Sequence, residues 1–90
     1  MGKKLDETLK FLGSQYLTKV IDLEPCIWRK ISSNYDIEIS GLNNKSPKFL
    51  VTVYVWEISP TTQIVETVSN ITSKEMLKTI LDSLLEKYSN

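Results

Sequence analysis

The chain has 90 residues, a formal net charge of zero, and ordinary globular proportions of hydrophobic (41%) and charged (24%) residues. This points to one domain with one modest core, and the neutrality weighs against functions that need a strong electrostatic field, non-specific nucleic-acid binding above all. The absence of histidine and the single cysteine, Cys26, exclude an intramolecular disulfide, remove the Ser-His and Cys-His nucleophile pairs, and leave too few ligands for a structural zinc site.

No cofactor or metal is therefore expected. No apolar run approaches the length that crosses a membrane. The opening MGKKLDETLK has no apolar signal core, and Asp6 stands where a myristoylation signal needs serine or threonine. The sequons Asn44-Lys45-Ser46 and Asn70-Ile71-Thr72 then read as chance. The expected setting is the cytoplasm, with a reduced thiol.

In chain order, Leu5, Leu9, Leu12, Tyr16 and Val20 recur at helical spacing, so Lys3 to about Val20 reads as a helix. Gly13-Ser14 is a weak point within it, and Asp22-Leu23-Glu24-Pro25 ends it. Cys26–Ser32 reads as a strand with Trp28 and Lys30 on one face and Ile27, Arg29 and Ile31 on the other. Ser33-Asn34 makes a turn. Tyr35–Ser40 alternates cleanly, with Tyr35, Ile37 and Ile39 inward and Asp36, Glu38 and Ser40 outward.

After a polar loop over Gly41–Pro47 comes the central run Lys48–Ile58, KFLVTVYVWEI. Phe49, Val51, Val53 and Val55 share one face; Leu50, Thr52, Tyr54, Trp56 and Ile58 share the other. Only Thr52 interrupts the second face, so both sides of this strand are expected to be covered. Ser59–Thr62 makes a turn around Pro60. Gln63–Ile71 reads as a last strand with Ile64, Glu66 and Val68 on one side. Thr72-Ser73-Lys74-Glu75 fits a capping box led by Thr72. Ser73 to about Tyr88 then reads as a helix with a stripe of Leu77, Ile80, Leu81, Leu84 and Tyr88.

The expected fold is a single α+β domain, residues 1–90: a small antiparallel β-meander of three or four strands flanked by an N-terminal and a C-terminal helix. The C-terminal helix lies either on Phe49, Val51, Val53 and Val55 or on the opposite face.

The residues offer no catalytic motif. Asp36 and Glu38 form a carboxylate pair that could do acid-base work, but strict alternation explains them as a solvated face. Cys26 lacks the histidine or helix terminus that activates a thiol. Trp28, Lys30, Tyr54 and Trp56 are the candidate partner-binding set. Placed on one sheet face, with Arg29, Lys30, Lys45 or Lys48 as a basic fringe, they would suit a protein contact or a homodimer, where tryptophan, tyrosine and arginine are enriched. The same rings could stack unpaired bases. The ordinary alternative is that the N-terminal helix covers them. The functional expectation is a small non-enzymatic interaction module: an adaptor, an inhibitor, or an accessory protein of the kind carried by a phage or plasmid. Single-stranded nucleic-acid binding through the same face is the alternative.

Overall fold

The computed structural model describes residues 2–89. A helix α1 (Lys3–Leu12) precedes five strands, β1 (Leu17–Ile21), β2 (Glu24–Lys30), β3 (Tyr35–Ser40), β4 (Val51–Glu57) and β5 (Gln63–Ile71), and helix α2 (Lys74–Lys87) closes the chain. The strands form one antiparallel meander in the order β1-β2-β3-β4-β5. The expected α+β architecture is present, with one strand more than the sequence reading allowed.

The extra strand comes from the second half of the expected first helix. α1 stops at Leu12, where Gly13 takes φ 104° and its N–H donates to the Leu9 carbonyl at 3.1 Å. Glycine reaches that conformation without a Cβ penalty, which makes it a helix terminator. Beyond it, Thr18, Val20 and Ile21 are β-branched and favour a strand. Leu17–Ile21 pairs with Glu24–Trp28 through a two-residue turn in which Asp22 and Leu23 have φ 52° and 67°. Positive φ at both central residues is the hairpin geometry that usually selects Asn-Gly. Here Asp-Leu fills it, so the usual turn signal is missing from the sequence.

Both helices lie on one side of the sheet. Leu5 of α1 and Leu77, Leu81 and Leu84 of α2 share a core with Ile27, Ile37, Ile39, Val51, Val53, Val55 and Ile71 of the strands. This settles the choice of face: the helices cover Val51, Val53 and Val55. Gly41–Pro47 is less polar in its packing than in its composition, since Leu42 is wholly buried in the same core. Phe49 packs half-buried against its margin.

β5 departs from regular alternation. Val53 pairs with Val68 and Val55 with Glu66, but Trp56 pairs with Ile64, so Val65 is an extra residue; a second irregularity separates Val51 from Val53, where Asn70 takes φ 60°. A bulge switches the face of the residues beyond it. Ile64 therefore joins Trp56 on the open side, whereas Glu66 and Val68 turn toward the helices, which corrects the shared face expected for these residues. At the start of α2 the N-cap is Ser73, not Thr72: its hydroxyl accepts from the Met76 N–H at 3.0 Å. Met76, not a glutamate, then occupies the third helical position, so the reciprocal half of a capping box is absent.

Glu66 fastens the other end of α2. Lys87 Nζ donates to Glu66 Oε1 at 2.8 Å and the Tyr88 hydroxyl donates to the same oxygen at 2.6 Å. The Tyr88 ring also packs on Tyr35, with centroids 4.8 Å apart. The hydrogen bonds from Lys87 and Tyr88 hold the Glu66 carboxyl below its ordinary range. A carboxyl with a depressed folded-state pKa contributes stability that is fully present above its unfolded pKa and is lost as pH falls through the folded value. Below pH 4.5, the ordinary carboxyl value, the wild-type melting temperature is therefore expected to fall more steeply with acid than that of Glu66→Gln. Parallel acid profiles for the two proteins would refute this clamp.

Candidate functional site

The side of the sheet away from the helices carries the aromatic set. Cross-strand partners face the same way, and the register places Leu17 opposite Trp28, Trp28 opposite Glu38, and Glu38 opposite Tyr54. One step along, Lys30 is opposite Asp36, Asp36 opposite Trp56, and Trp56 opposite Ile64. Trp28, Lys30, Tyr54 and Trp56 thus share one face, as their alternation requires. Among the described residues no helix lies over it.

The second face of the central run is instead sheltered by the sheet itself. A cleft of about 300 Å³ is lined by Lys19 and Ile21 of β1 together with Trp56 of β4 and Ile58 just beyond it. β1 and β4 are separated by two strands in the sheet order, so the cleft is built by side chains of four neighbouring strands. The face is concave. Its floor is correspondingly dry: Cys26 is 1% exposed and Glu38 7%. Trp28, Tyr54 and Trp56 are half-buried on the walls, while Lys30 is exposed.

The indoles are held by a crossed pair of hydrogen bonds. Trp56 Nε1 donates to Glu38 Oε1 at 2.8 Å, and Trp28 Nε1 donates to Asp36 Oδ2 at 3.1 Å. Each tryptophan thereby bonds the carboxylate diagonal to it, not the one directly across. Long and aromatic side chains reach that diagonal neighbour. The carboxylates that alternation assigned to a solvated face are in fact anchors for the rings. Asp36 Oδ1 is buried without a hydrogen-bond partner among the described residues.

Cys26 completes the floor. Its thiol lies 3.7 Å from Glu38 Oε2, toward which it donates. Burial first, and then the negative charge of Glu24 and Glu38, pushes the thiol up to about 12. A thiol is nucleophilic only as thiolate, and burial with this upward push disfavours the Cys26 thiolate at neutral pH. Alkylation with iodoacetamide at pH 8 is expected to leave the native protein unmodified and to label Cys26 only after denaturation. Native labelling at the rate of a free thiol would show that the floor is open.

The charged margin differs from the expected one. Arg29 faces the helices, its guanidinium 5.2 Å from the centroid of the buried Tyr16 ring. Lys45 lies in the β3–β4 loop beside Lys3 and Lys4 at the start of α1. The Lys48 carbonyl accepts from Lys4 Nζ at 2.8 Å. Of the basic residues assigned to the fringe, only Lys30 stands on this face. Lys19 was missed because its segment read as helix; its ammonium sits 4.7 Å from the Trp28 ring centroid, a cation–π distance. The margin is otherwise acidic. A second cleft of about 280 Å³, between the β1–β2 turn and Trp56, is lined by Asp22, Glu24 and Glu38 along with Tyr54 and Trp56.

Comparison with protein-family models, with curated proteins and with solved structures found no match. Among the described residues no helix is long and apolar enough to cross a membrane.

Proposed function

We propose that this protein is a non-enzymatic protein-interaction module, an adaptor, inhibitor or accessory protein, that binds a protein partner through the concave sheet face bearing Trp28, Lys30, Tyr54 and Trp56. One observation carries the reading: both helices pack on the Val51–Val55 side, leaving a hollow aromatic face whose two indoles are fixed by hydrogen bonds to carboxylates. Interface anchors are enriched in tryptophan and tyrosine, and they bind best when held rigid before the partner arrives. An apolar centre with a polar margin is also the usual anatomy of a protein contact surface. The carboxylates anchor indoles and the thiol is protonated, which argues for binding over chemistry.

A different protein suits the face better than a second copy does. A two-fold contact sets a patch on itself, and here that would bring the acidic centre around Glu38 against its own image. Single-stranded nucleic acid fits less well still. Proteins that stack bases line the site with positive charge, whereas Asp22, Glu24, Asp36 and Glu38 border these rings. The proposed setting is the cytoplasm, in keeping with one buried thiol and no disulfide.

Affinity capture tests the reading. Wild type and a Trp28→Ala/Trp56→Ala double variant, each confirmed as folded by circular dichroism, are offered the same extract. A partner retained by wild type and lost by the variant is the expected result. Equal retention by both would sink it, as would specific binding of a labelled oligonucleotide at low salt in place of any protein.

A further inference from the structure

We infer that the partner segment seated in this face presents a basic side chain, arginine or lysine, among apolar residues, and that this side chain enters the cleft between the β1–β2 turn and Trp56. The inference rests on the interaction reading above and specifies the chemistry of its partner.

The concave face is divided in two by Glu38 and Trp56, which line both of its clefts. The halves differ in charge. On the Trp28 side an ammonium is already present, since Lys19 lies over the indole. On the Tyr54 side the lining includes Asp22, Glu24 and Glu38 and no lysine or arginine. That half combines aromatic rings with carboxylates, the two kinds of group that attract an organic cation: ring faces by their quadrupole, carboxylates by charge and hydrogen bonding. Its carboxylates are not all committed. Glu24 Oε2 accepts from the Gly41 N–H at 3.2 Å, and Glu38 is engaged by Trp56 and Cys26. Asp22, exposed on the turn, has no ion pair among the described residues.

The apolar part of the segment follows from the rest of the lining. Ile21, Tyr54, Trp56 and Ile64 line the same cleft as the carboxylates, and Ile64 is 45% exposed, so a segment that fills the cleft carries basic and apolar residues side by side.

The test uses a displayed library of random dodecapeptides as the probe. Peptides are selected on immobilised wild type and counter-selected on Trp56→Ala, and their affinities are read by fluorescence anisotropy at low and high salt. Trp56-dependent peptides are expected to contain arginine or lysine flanked by apolar residues. Replacing that basic residue by alanine should weaken binding about tenfold, and added salt should weaken it further. Glu24→Gln and, separately, Asp22→Asn should each reduce affinity several-fold; both preserve side-chain shape, so a folding defect in one does not remove the other. Trp56-dependent peptides that are acidic or uncharged would overturn the basic partner while leaving the interaction reading standing. A self-dimer abolished by Trp56→Ala would overturn it by naming a second copy as the occupant. Selection that yields no Trp56-dependent peptide would overturn both.

Discussion

Gly41→Ala is expected to destabilise the fold by about 3 kcal/mol, the combined effect of backbone strain and overpacking. Gly41 follows β3 directly and takes φ 99°, a conformation that L-residues rarely adopt. A Cβ there would lie 2.7 Å from the Leu50 carbonyl oxygen and 3.3 Å from Val51 Cα. Neither neighbour is the free end of a flexible side chain. Val51 begins β4, is 1% exposed and is paired with Ile71, so relief of the contact must displace β4. The Gly41 N–H also holds Glu24, which links the same position to the acidic cleft. Gly13→Ala is the matched comparison. Gly13 has a similar φ of 104° but open space around its Cβ direction, so only the strain is felt, about 1–2 kcal/mol. Urea denaturation of the two variants should therefore give midpoints in the order wild type, Gly13→Ala, Gly41→Ala. Equal midpoints for the two variants would show that the close approach to Leu50 is absent.

Trp56→Ala should have the largest effect on binding. Central tryptophans of contact surfaces lose 2 kcal/mol or more on truncation, about thirtyfold in affinity. Trp56 sits where both clefts of the concave face meet, and its ring is fixed by Glu38. The fold should lose only about 1–2 kcal/mol, because the residue lies outside the helix-covered core and truncation admits water to Glu38. Trp56→Phe separates ring from hydrogen bond: it should keep most of the affinity if stacking dominates. Phe11→Ala is the control. Phe11 is an exposed aromatic on α1, with Lys74 5.4 Å from its ring centroid, remote from the concave face. It should bind as wild type does. Affinity lost equally in Phe11→Ala and Trp56→Ala would mean that the effect is not specific to this surface.

Much of the fold was legible because periodicity and burial agree over most of the chain. The alternation of Tyr35–Ser40 and the valines of β4 mark the face that the helices cover, and the stripe on α2 marks what covers it. The first helix was overread because Tyr16 and Val20 happen to continue its spacing. Tyr16 reaches the core from a turn, with its N–H donating to the Gly13 carbonyl, and Val20 is 65% exposed on the edge strand. The β1–β2 turn hid from view because Asp-Leu does the work normally left to Asn-Gly. The two bulges in β5 were likewise silent, since register is set by pairing with β4 and not by local composition.

The candidate surface was legible as a set of residues but not as a shape. Alternation paired Trp28 with Lys30 and Tyr54 with Trp56, and the register across β3 joins the two pairs. Alternation could not show the clefts, which depend on how side chains of four strands meet. Nor could it show that Asp36 and Glu38 orient the indoles, because that depends on diagonal neighbours in a register the sequence does not state. The clefts also answer why β4 is apolar on both sides. One side meets the helices. The other forms the wall of a hollow that the chain's own edge only partly closes.

The central claim is that this hollow is the binding surface, and the most direct test is a footprint of the bound state. Backbone and indole N–H resonances of the labelled protein are followed as a partner captured by wild type, or a Trp56-dependent peptide, is added. The account predicts shifts of the Trp28 and Trp56 indole signals and of Lys19, Lys30, Glu38 and Tyr54 amides, with α1 and α2 unperturbed. Shifts confined to the helices, with both indole signals unmoved at saturation, would contradict it.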